Sequence, residues 1–402
     1  MTGTNTGGEV VDDDILMITA KGFVKPEGML EAERAKEADL ADATASWVKA
    51  GPINQTEIQV NADELAAINS GKEGIYDLTF SITKEDLEQK PHTASVTVKV
   101  VVTGDQTVVD PTNTIVITAN GFTVSQDELQ TFMPVTKANA KAYIIATGKE
   151  IPVSADTTQL GTIRGAGKEG GIFDLGFFAQ NDDNRAEITV KAAVEGSHIV
   201  IVPDGEQHIV LKAKGFSLTQ SEKNLTRDQA ITKADAEAYV LETKESLKTQ
   251  IKVPKDSNEG ANNLETIADA PKEGGIYDLT FSVTRNAVTA SKTVKVAVEG
   301  DQTGVTPPDP DEPGENFTLA ITADNVLMTQ TEANNLTDHA ALIAKTGARA
   351  FVLETGESVT DISIDETLFR QIKNTGLEGG VYKLTLTAKK GTKTAETTVT
   401  VV

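Results

Sequence analysis

Apolar and polar residues alternate in four runs along the chain: ASVTVKVVV from Ala94, AEITVKAAV from Ala186, SKTVKVAV from Ser291 and ETTVTVV from Glu396. A period of two sets Val on one face of a strand and Thr or Lys on the other, so each run predicts a strand with one buried face. Lys99, Lys191 and Lys295 fall in the polar phase and are expected to point to solvent. Ahead of each run stands a second apolar block that opens on a turn: GKEGIYDLTF from Gly71, GKEGGIFDLGFF from Gly167, PKEGGIYDLTF from Pro271 and LEGGVYKLTL from Leu377. Its aromatics, Tyr76, Phe173, Tyr277 and Tyr382, recur at spacings of 97, 104 and 105 residues. That is one domain per repeat, not a solenoid unit of about 20 to 50 residues.

Other landmarks keep step. Each copy opens with a strand and a turn: ILMITAKGF from Ile15, IVITANGF from Ile115, IVLKAKGF from Ile209 and LAITADNV from Leu319. Gly22, Gly121, Gly215 and Asn325 share one place there, and residues of these types tolerate positive φ, so a left-handed backbone is expected at that strand end. A helix follows, richest in the first copy, where Met29, Leu30, Ala35, Ala38 and Ala41 trace an apolar stripe. In the fourth copy Thr337 and Asp338 precede HAALIAK as helix caps. Next comes an alanine-flanked aromatic strand carrying Trp47, Tyr143, Tyr239 and Phe351 in turn. One large ring at a fixed place reads as the centre of a small core rather than a sugar platform, which needs converging polar groups.

The order is strand, turn, helix, aromatic strand, polar connection, aromatic strand, alternating strand. It predicts a mainly β chain of four tandem Ig-like β-sandwich domains, each with a short inserted helix, at residues 12–104, 112–196, 206–300 and 315–402. Trp47, Tyr76, Tyr143, Phe173, Tyr239, Tyr277, Phe351 and Tyr382 are the expected structural core. Tyr76, Tyr277 and Tyr382 are candidates for a tyrosine corner, a hydroxyl bonded back to nearby backbone; Phe173 cannot make that bond.

The combination of an I-T-A-x-G/N opening, an alanine-rich helix, an A-x-A-aromatic strand and G-x-Y-D-L-T-F followed by T-V-K-V resembles Ig-like repeats in cell-wall-anchored surface proteins of Listeria, Enterococcus and related Firmicutes. The resemblance spans nearly the whole chain and implies an extracellular, wall-attached protein whose modules form a stalk or take part in adhesion. Residues Met1 to Asp14 lack the parts of a signal peptide, no LPXTG-type tail is present, and the last run stops at Val402 inside a strand pattern. A piece of a longer exported protein is therefore expected.

Charge and composition narrow the classes further. Lys and Arg total 37 against 60 for Asp and Glu, a net charge of −23, which repels nucleic-acid phosphates and anionic membrane surfaces. Cysteine is absent, which removes disulfides, thiolate metal sites and cysteine nucleophiles. No apolar stretch reaches the roughly 18 to 20 residues of a membrane span.

No hydrolase, zinc-protease, Walker or dinucleotide motif occurs, so no catalytic, cofactor-binding or metal residue is assigned and no enzyme is expected. Acidic clusters at Asp12 to Asp14, Asn181 to Asn184 and Asp309 to Glu312 supply oxygen ligands of the kind calcium takes, without the spaced loop that wraps one ion. Lys21 and Lys214 stand where some surface domains form Lys–Asn crosslinks, but the terminal runs lack the Asn. His92, His198, His208 and His339 occupy no equivalent places, and His198 with His208 is the only near pair. The junctions GDQTVVDPTN, EGSHIVIVPDGEQ and EGDQTGVTPPDPDEPGEN read as semi-rigid spacers. The reading that fits is a non-enzymatic stalk or adhesin segment with an unidentified protein or glycan ligand. A self-assembling surface filament, motivated by the strand-like HIVIVPD, and a glycan-binding accessory region are the alternatives.

Overall fold

The structure, a computed structural model, describes residues 5–11, 14–25, 38–86, 88–309 and 316–402. The chain is mainly β, of Ig-like sandwich type with several short helices. Its contacts divide it into two compact units: Met1–Ala166 with Ile172–Val194 and Leu241–Lys244, and Gly167–Gly171 with Glu195–Val240 and Glu245–Val402. Buried apolar residues form a separate cluster within each sequence repeat.

In the first unit, the first repeat pairs Asn5–Val11, Asp14–Ala20, Thr44–Trp47 and Gly51–Ile53 in one antiparallel sheet. The second sheet is the long hairpin Gly74–Glu85 and Pro91–Val102, flanked by Gln59–Val60 and, in parallel, by Phe23–Val24. Alternation decides what is inside: Leu78, Phe80 and Ile82 from one strand meet Val96, Val98 and Val100 from the other, and Leu16 and Ile18 face them from the first sheet. Outward threonines pair across the hairpin, Thr79 with Thr97 at 3.0 Å and Thr83 with Thr93 at 2.8 Å. The second repeat repeats the scheme around Ile115, Ile117, Leu175, Phe177, Ile188 and Val190.

In the second unit, the third repeat packs Ile199–Asp204, Gln207–Lys212 and Glu237–Val240 against the hairpin Gly275–Arg285 and Val288–Val298. The fourth packs Thr303–Thr306, Leu319–Thr322, Arg349–Val352 and Glu357–Val359 against Ile362–Ile364, Tyr382–Lys390 and Lys393–Val401.

Three expectations change. The junctions are not spacers where described: Thr107–Val109, Ile199–Asp204 and Thr303–Thr306 are strands, each antiparallel to the opening strand that follows. Each repeat also has a second helix, Ala62–Asn69, Thr157–Arg164, Leu264–Ala268 and Glu366–Lys373. Asn61, Asp156, Asn263 and Asp365 cap them through side-chain oxygens, each cap worth about 1 kcal/mol, and Ile68, Ile163, Ile267 and Ile372 are buried below. Finally, the left-handed residues are not Gly22, Gly121, Gly215 and Asn325. They are Asp42 (φ 48), Asn139 (φ 46), Asp235 (φ 48) and Gly347 (φ 60), just before the aromatic strand. Lys21, Asn120, Lys214 and Asp324 donate their backbone N–H to Ala41, Ala138, Ala234 and Thr346, which fastens the opening strand to that turn.

Of the first-copy helix, Met29, Leu30 and Ala35 lie outside the described residues, while Ala38 and Ala41 are buried. In the fourth copy Asp338 is the cap, its carboxylate accepting from Ala341 N at 2.9 Å ahead of His339–Lys345.

Candidate functional site

The feature built more than once is a joint between successive repeats, seen inside each unit. In the first unit Val101, Val116 and Ile145 form a buried apolar cluster, with Val24, Ile75, Val109 and Tyr143 packed on it. In the second unit Ala297, Ala320 and Leu353 form the counterpart, with Ile276, Val305 and Phe351. One repeat supplies the end of its long hairpin and the next supplies the outer face of its aromatic strand.

Glycine permits the approach. A Cβ on Gly22 would stand 2.0 Å from Ile145 O, and on Gly215 2.0 Å from Leu353 O. The same contact within the first unit brings Gly121 to Leu241 O, where a Cβ would stand 2.1 Å away. All three spacings are closer than any real side chain reaches, so the residue type answers to a neighbouring carbonyl, not to φ.

The polar phase of the terminal strand completes the joint and corrects the expectation that its lysines face solvent. Lys99 is only a quarter exposed, bonds Asp77 at 2.7 Å and lies 5.3 Å from the Tyr143 ring centroid. Lys295 bonds Asp278 at 2.8 Å and lies 4.8 Å from the Phe351 ring. Lys191 bonds Asp174 at 2.9 Å. A cation held over a ring face and neutralised on its other side is attracted by the ring quadrupole.

The eight aromatics expected in the core divide by role, and all are half-buried. Tyr143 and Phe351 belong to joints, and Tyr239 lies between Val210 and its strand neighbours on the equivalent outer face. Trp47 is one residue out of register with them: Leu16 pairs with Trp47, whereas Ile115 pairs with Ile144 and Leu319 with Val352. Ser46 therefore takes the ring's outer place, and Trp47 packs on its own repeat's core, with His92 at its edge. Tyr76 donates to Lys72 O at 2.7 Å and Tyr277 to Gly274 O at 3.4 Å, while Tyr382 bonds the Thr375 hydroxyl at 3.1 Å. Phe173 packs on the second core. The rings that are fully buried are Phe80, Phe177 and Phe281, four residues beyond Tyr76, Phe173 and Tyr277 on the same strand face.

The remaining candidates are engaged in local structure. Lys21 pairs with Asp42 at 2.9 Å and Lys214 with Asp235 at 3.9 Å, so neither faces a crosslinking Asn. His208 pairs with Pro203 near the tip of its hairpin, while the His198 carbonyl meets Ala213 N at the other end. His92 bonds Asp86 at 3.0 Å and His339 bonds Glu366 at 2.6 Å. Among the described residues no group of three His, Asp or Glu side chains is placed to hold a metal ion. Asn181–Asn184 is a hairpin turn; Asp12, Asp13 and residues 310–312 lie outside the described residues.

Shifted titrations serve packing. Burial pushes His198 below its ordinary value. A hydrogen bond from Lys233, with the Thr219 N–H, draws Glu222 down to about 2. Burial raises Asp110, but bonds from Ile115 N, Thr112 and Thr114 more than offset it. An open concavity of about 750 Å³ lies on the fourth repeat beside Glu366, Arg370, Asn374 and Tyr382. Several of its polar groups bond one another: Arg370 Nε with Glu366 at 2.6 Å, and Asn374 with Arg370 O at 2.8 Å. No helix among the described residues is long and apolar enough to cross a membrane.

No family model matches the chain, and no curated protein matches it. Among solved structures it is similar to Drosophila N-cadherin EC1-4, at 11% identity over 100% of this chain and 92% of that one, with a TM-score of 0.14. It is also similar to a SusE-like surface-located polysaccharide-binding protein of Bacteroides thetaiotaomicron, at 8% identity over 98% and 88%, with a TM-score of 0.17. Both are weak structural neighbours. The class the coordinates themselves define is a tandem array of Ig-like β modules with glycine-dependent joints.

Proposed function

We propose that the chain is a non-enzymatic stalk or adhesin segment of a bacterial cell-surface protein, extracellular and of the Gram-positive wall-anchored type. The observation that carries this reading is the joint. Gly22 with Ile145 and Gly215 with Leu353 spend a constrained backbone position and a Lys–Asp–ring cluster on fixing one module to the next. Such investment suits a load-bearing spacer, and in the concavity on the fourth repeat Arg370 is paired with Glu366. Single-molecule pulling between the two ends tests it. A stalk unfolds one repeat at a time, each releasing roughly 300 Å of chain at about 3.5 Å per residue. Unfolding of the whole chain in one step, or at forces too low to resolve, overturns the reading.

A further inference from the structure

Gln106, His198 and Gln302 hold one place in successive repeats. Their carbonyls accept from the backbone N–H that follows an opening strand: Gln106 O from Ala119 at 3.1 Å, His198 O from Ala213 at 2.9 Å and Gln302 O from Ala323 at 3.2 Å. Their own N–H groups donate to the K-E-G turn of the preceding repeat. Gln106 N bonds the Glu73 carboxylate at 2.6 Å, while His198 N bonds Glu169 O and Gln302 N bonds Glu273 O, both at 2.9 Å. Ser197 N adds a bond to Lys168 O at 3.1 Å, as Asp301 N does to Lys272 O at 3.0 Å. Gly196 lets the second of these ties close, since a Cβ there would stand 2.2 Å from the Glu169 carbonyl carbon.

The side chain sets the second tie apart. The Gln106 amide donates to Glu242 O, whereas His198 Nε2 is buried and meets no hydrogen-bond partner, and neither does Ser197 Oγ beside it. The surroundings are cationic. Lys292 stands in the inward phase of its strand, paired with Phe281 where Val96 pairs with Phe80. It is half-buried and bonds no carboxylate among the described residues. Lys212 and Lys214 share Asp235, at 2.9 and 3.9 Å. Burial opposes a proton on His198 most; Glu169 favours one, and Lys214, Lys292 and Lys212 oppose it. An imidazole in such a place is tolerated neutral and costly charged.

We propose that His198 makes this tie an acid-released latch. With the imidazole neutral, residues 195–198 stay closed on the turn Gly167–Gly171. With the imidazolium formed, the segment lifts so that water reaches the ring, and the bonds of Ser197 and His198 to Lys168 and Glu169 open. The change is local, because the third core, built on residues such as Ile209, Leu211, Phe281 and Val296, contains neither Ser197 nor His198. The latch is intact above the ordinary 6.5 of histidine and weakens as pH falls through that value toward the lower folded one. Glutamine takes up no proton in this range, so the ties at Gln106 and Gln302 hold, and acid selects one tie of three.

Hydrogen exchange of the full chain between pH 7.5 and 5 tests the proposal, read as protection factors so that the intrinsic pH dependence of exchange divides out. The amides of Ser197 and His198 should lose protection severalfold by pH 5, with a ceiling of roughly thirtyfold set by one proton taken up below 6.5. Those of Asp301 and Gln302, in the matching tie of the same unit, should keep theirs. His198→Gln should abolish the loss. Lys292→Met, which removes a like charge and leaves the imidazole, should shrink it. Constant protection at Ser197 and His198 overturns the proposal, and so does a loss that persists in His198→Gln. A loss shared by Asp301, Gln302 and the core strand Gly275–Arg285 overturns it as well, because that is unfolding of the unit and not release of a latch.

Discussion

The carbonyl oxygen of Ile145 occupies the space a side chain on Gly22 would need, 2.0 Å from the position of its missing Cβ. Gly22 has no positive φ, so alanine is conformationally allowed there and sterically forbidden. Replacing Gly22 with Ala should therefore destabilise the first unit by about 1–3 kcal/mol, the usual cost of overpacking. Gly161 provides the contrast, lying in the helix Thr157–Arg164 with open space around its Cβ. Gly161→Ala should stabilise by roughly 0.5–1 kcal/mol through helix propensity. Opposite shifts in the urea midpoints of the two variants check the pair.

The β character, the repeat and the inward phase of Leu78, Phe80 and Ile82 are legible in the sequence because alternation reports which face a side chain takes. Alternation does not report what covers the other face. That is why Lys99 reads as solvated although the next module covers it. Glycine is ambiguous in the same way: Gly22 looks like a φ requirement, and the Ile145 carbonyl that demands it lies in the next repeat, more than a hundred residues along the chain. The helix Glu366–Lys373 is too short for a firm periodic signal, although the Asp365 cap was there to be seen. The shared aromatic place misleads because Trp47 follows Ala45 by two residues where Tyr143 follows Ala142 by one, and one residue of slip exchanges the faces of a strand: Trp47 packs on its own repeat's core, Tyr143 on the joint.

The buried rings set the stability of the sandwiches. Phe80 is 0% exposed at the centre of the first core, whereas Trp47 is half-buried at its margin. Phe80→Ala should cost about 3–5 kcal/mol, and Trp47→Ala distinctly less despite the larger ring. Calorimetry of the two variants, ranked by loss of the first unit's transition temperature, decides it; the reverse order would place Trp47 at the centre.

Acid should act on the second unit through groups of known sign. His198 has a folded pKa below its ordinary 6.5, mainly through burial; Glu169 raises it, and Lys214, Lys292 and Lys212 lower it. The unfolded chain therefore binds the proton more readily. The stability His198 contributes is intact above 6.5 and is lost as pH falls through that value toward the folded pKa. Glu222 acts lower, its contribution present above the ordinary 4.5 and lost as pH falls toward about 2. Urea midpoints should thus decline from pH 7.5 to 5, and His198→Gln should flatten that slope while leaving the loss below pH 4 in place.

Lys99, Asp77 and Tyr143 tie the first repeat to the second, and the size of that tie follows from exposure. The Lys99–Asp77 bridge is 25% and 56% exposed, so solvent screens it and it is worth at most about 1 kcal/mol. The ring contact adds about 0.5–1 kcal/mol, since the ammonium is partly desolvated against Tyr143. A double-mutant cycle with Lys99→Met and Tyr143→Leu should therefore return a coupling of roughly 0.5–1 kcal/mol. Salt separates the two parts: raising ionic strength should erode the Lys99–Asp77 coupling more than the Lys99–Tyr143 coupling, because the bridge is the more exposed of the two. A Lys99–Tyr143 coupling of zero would reduce the ring to apolar cover, and the joint would then rest on Val101, Val116, Ile145 and the glycine approach alone.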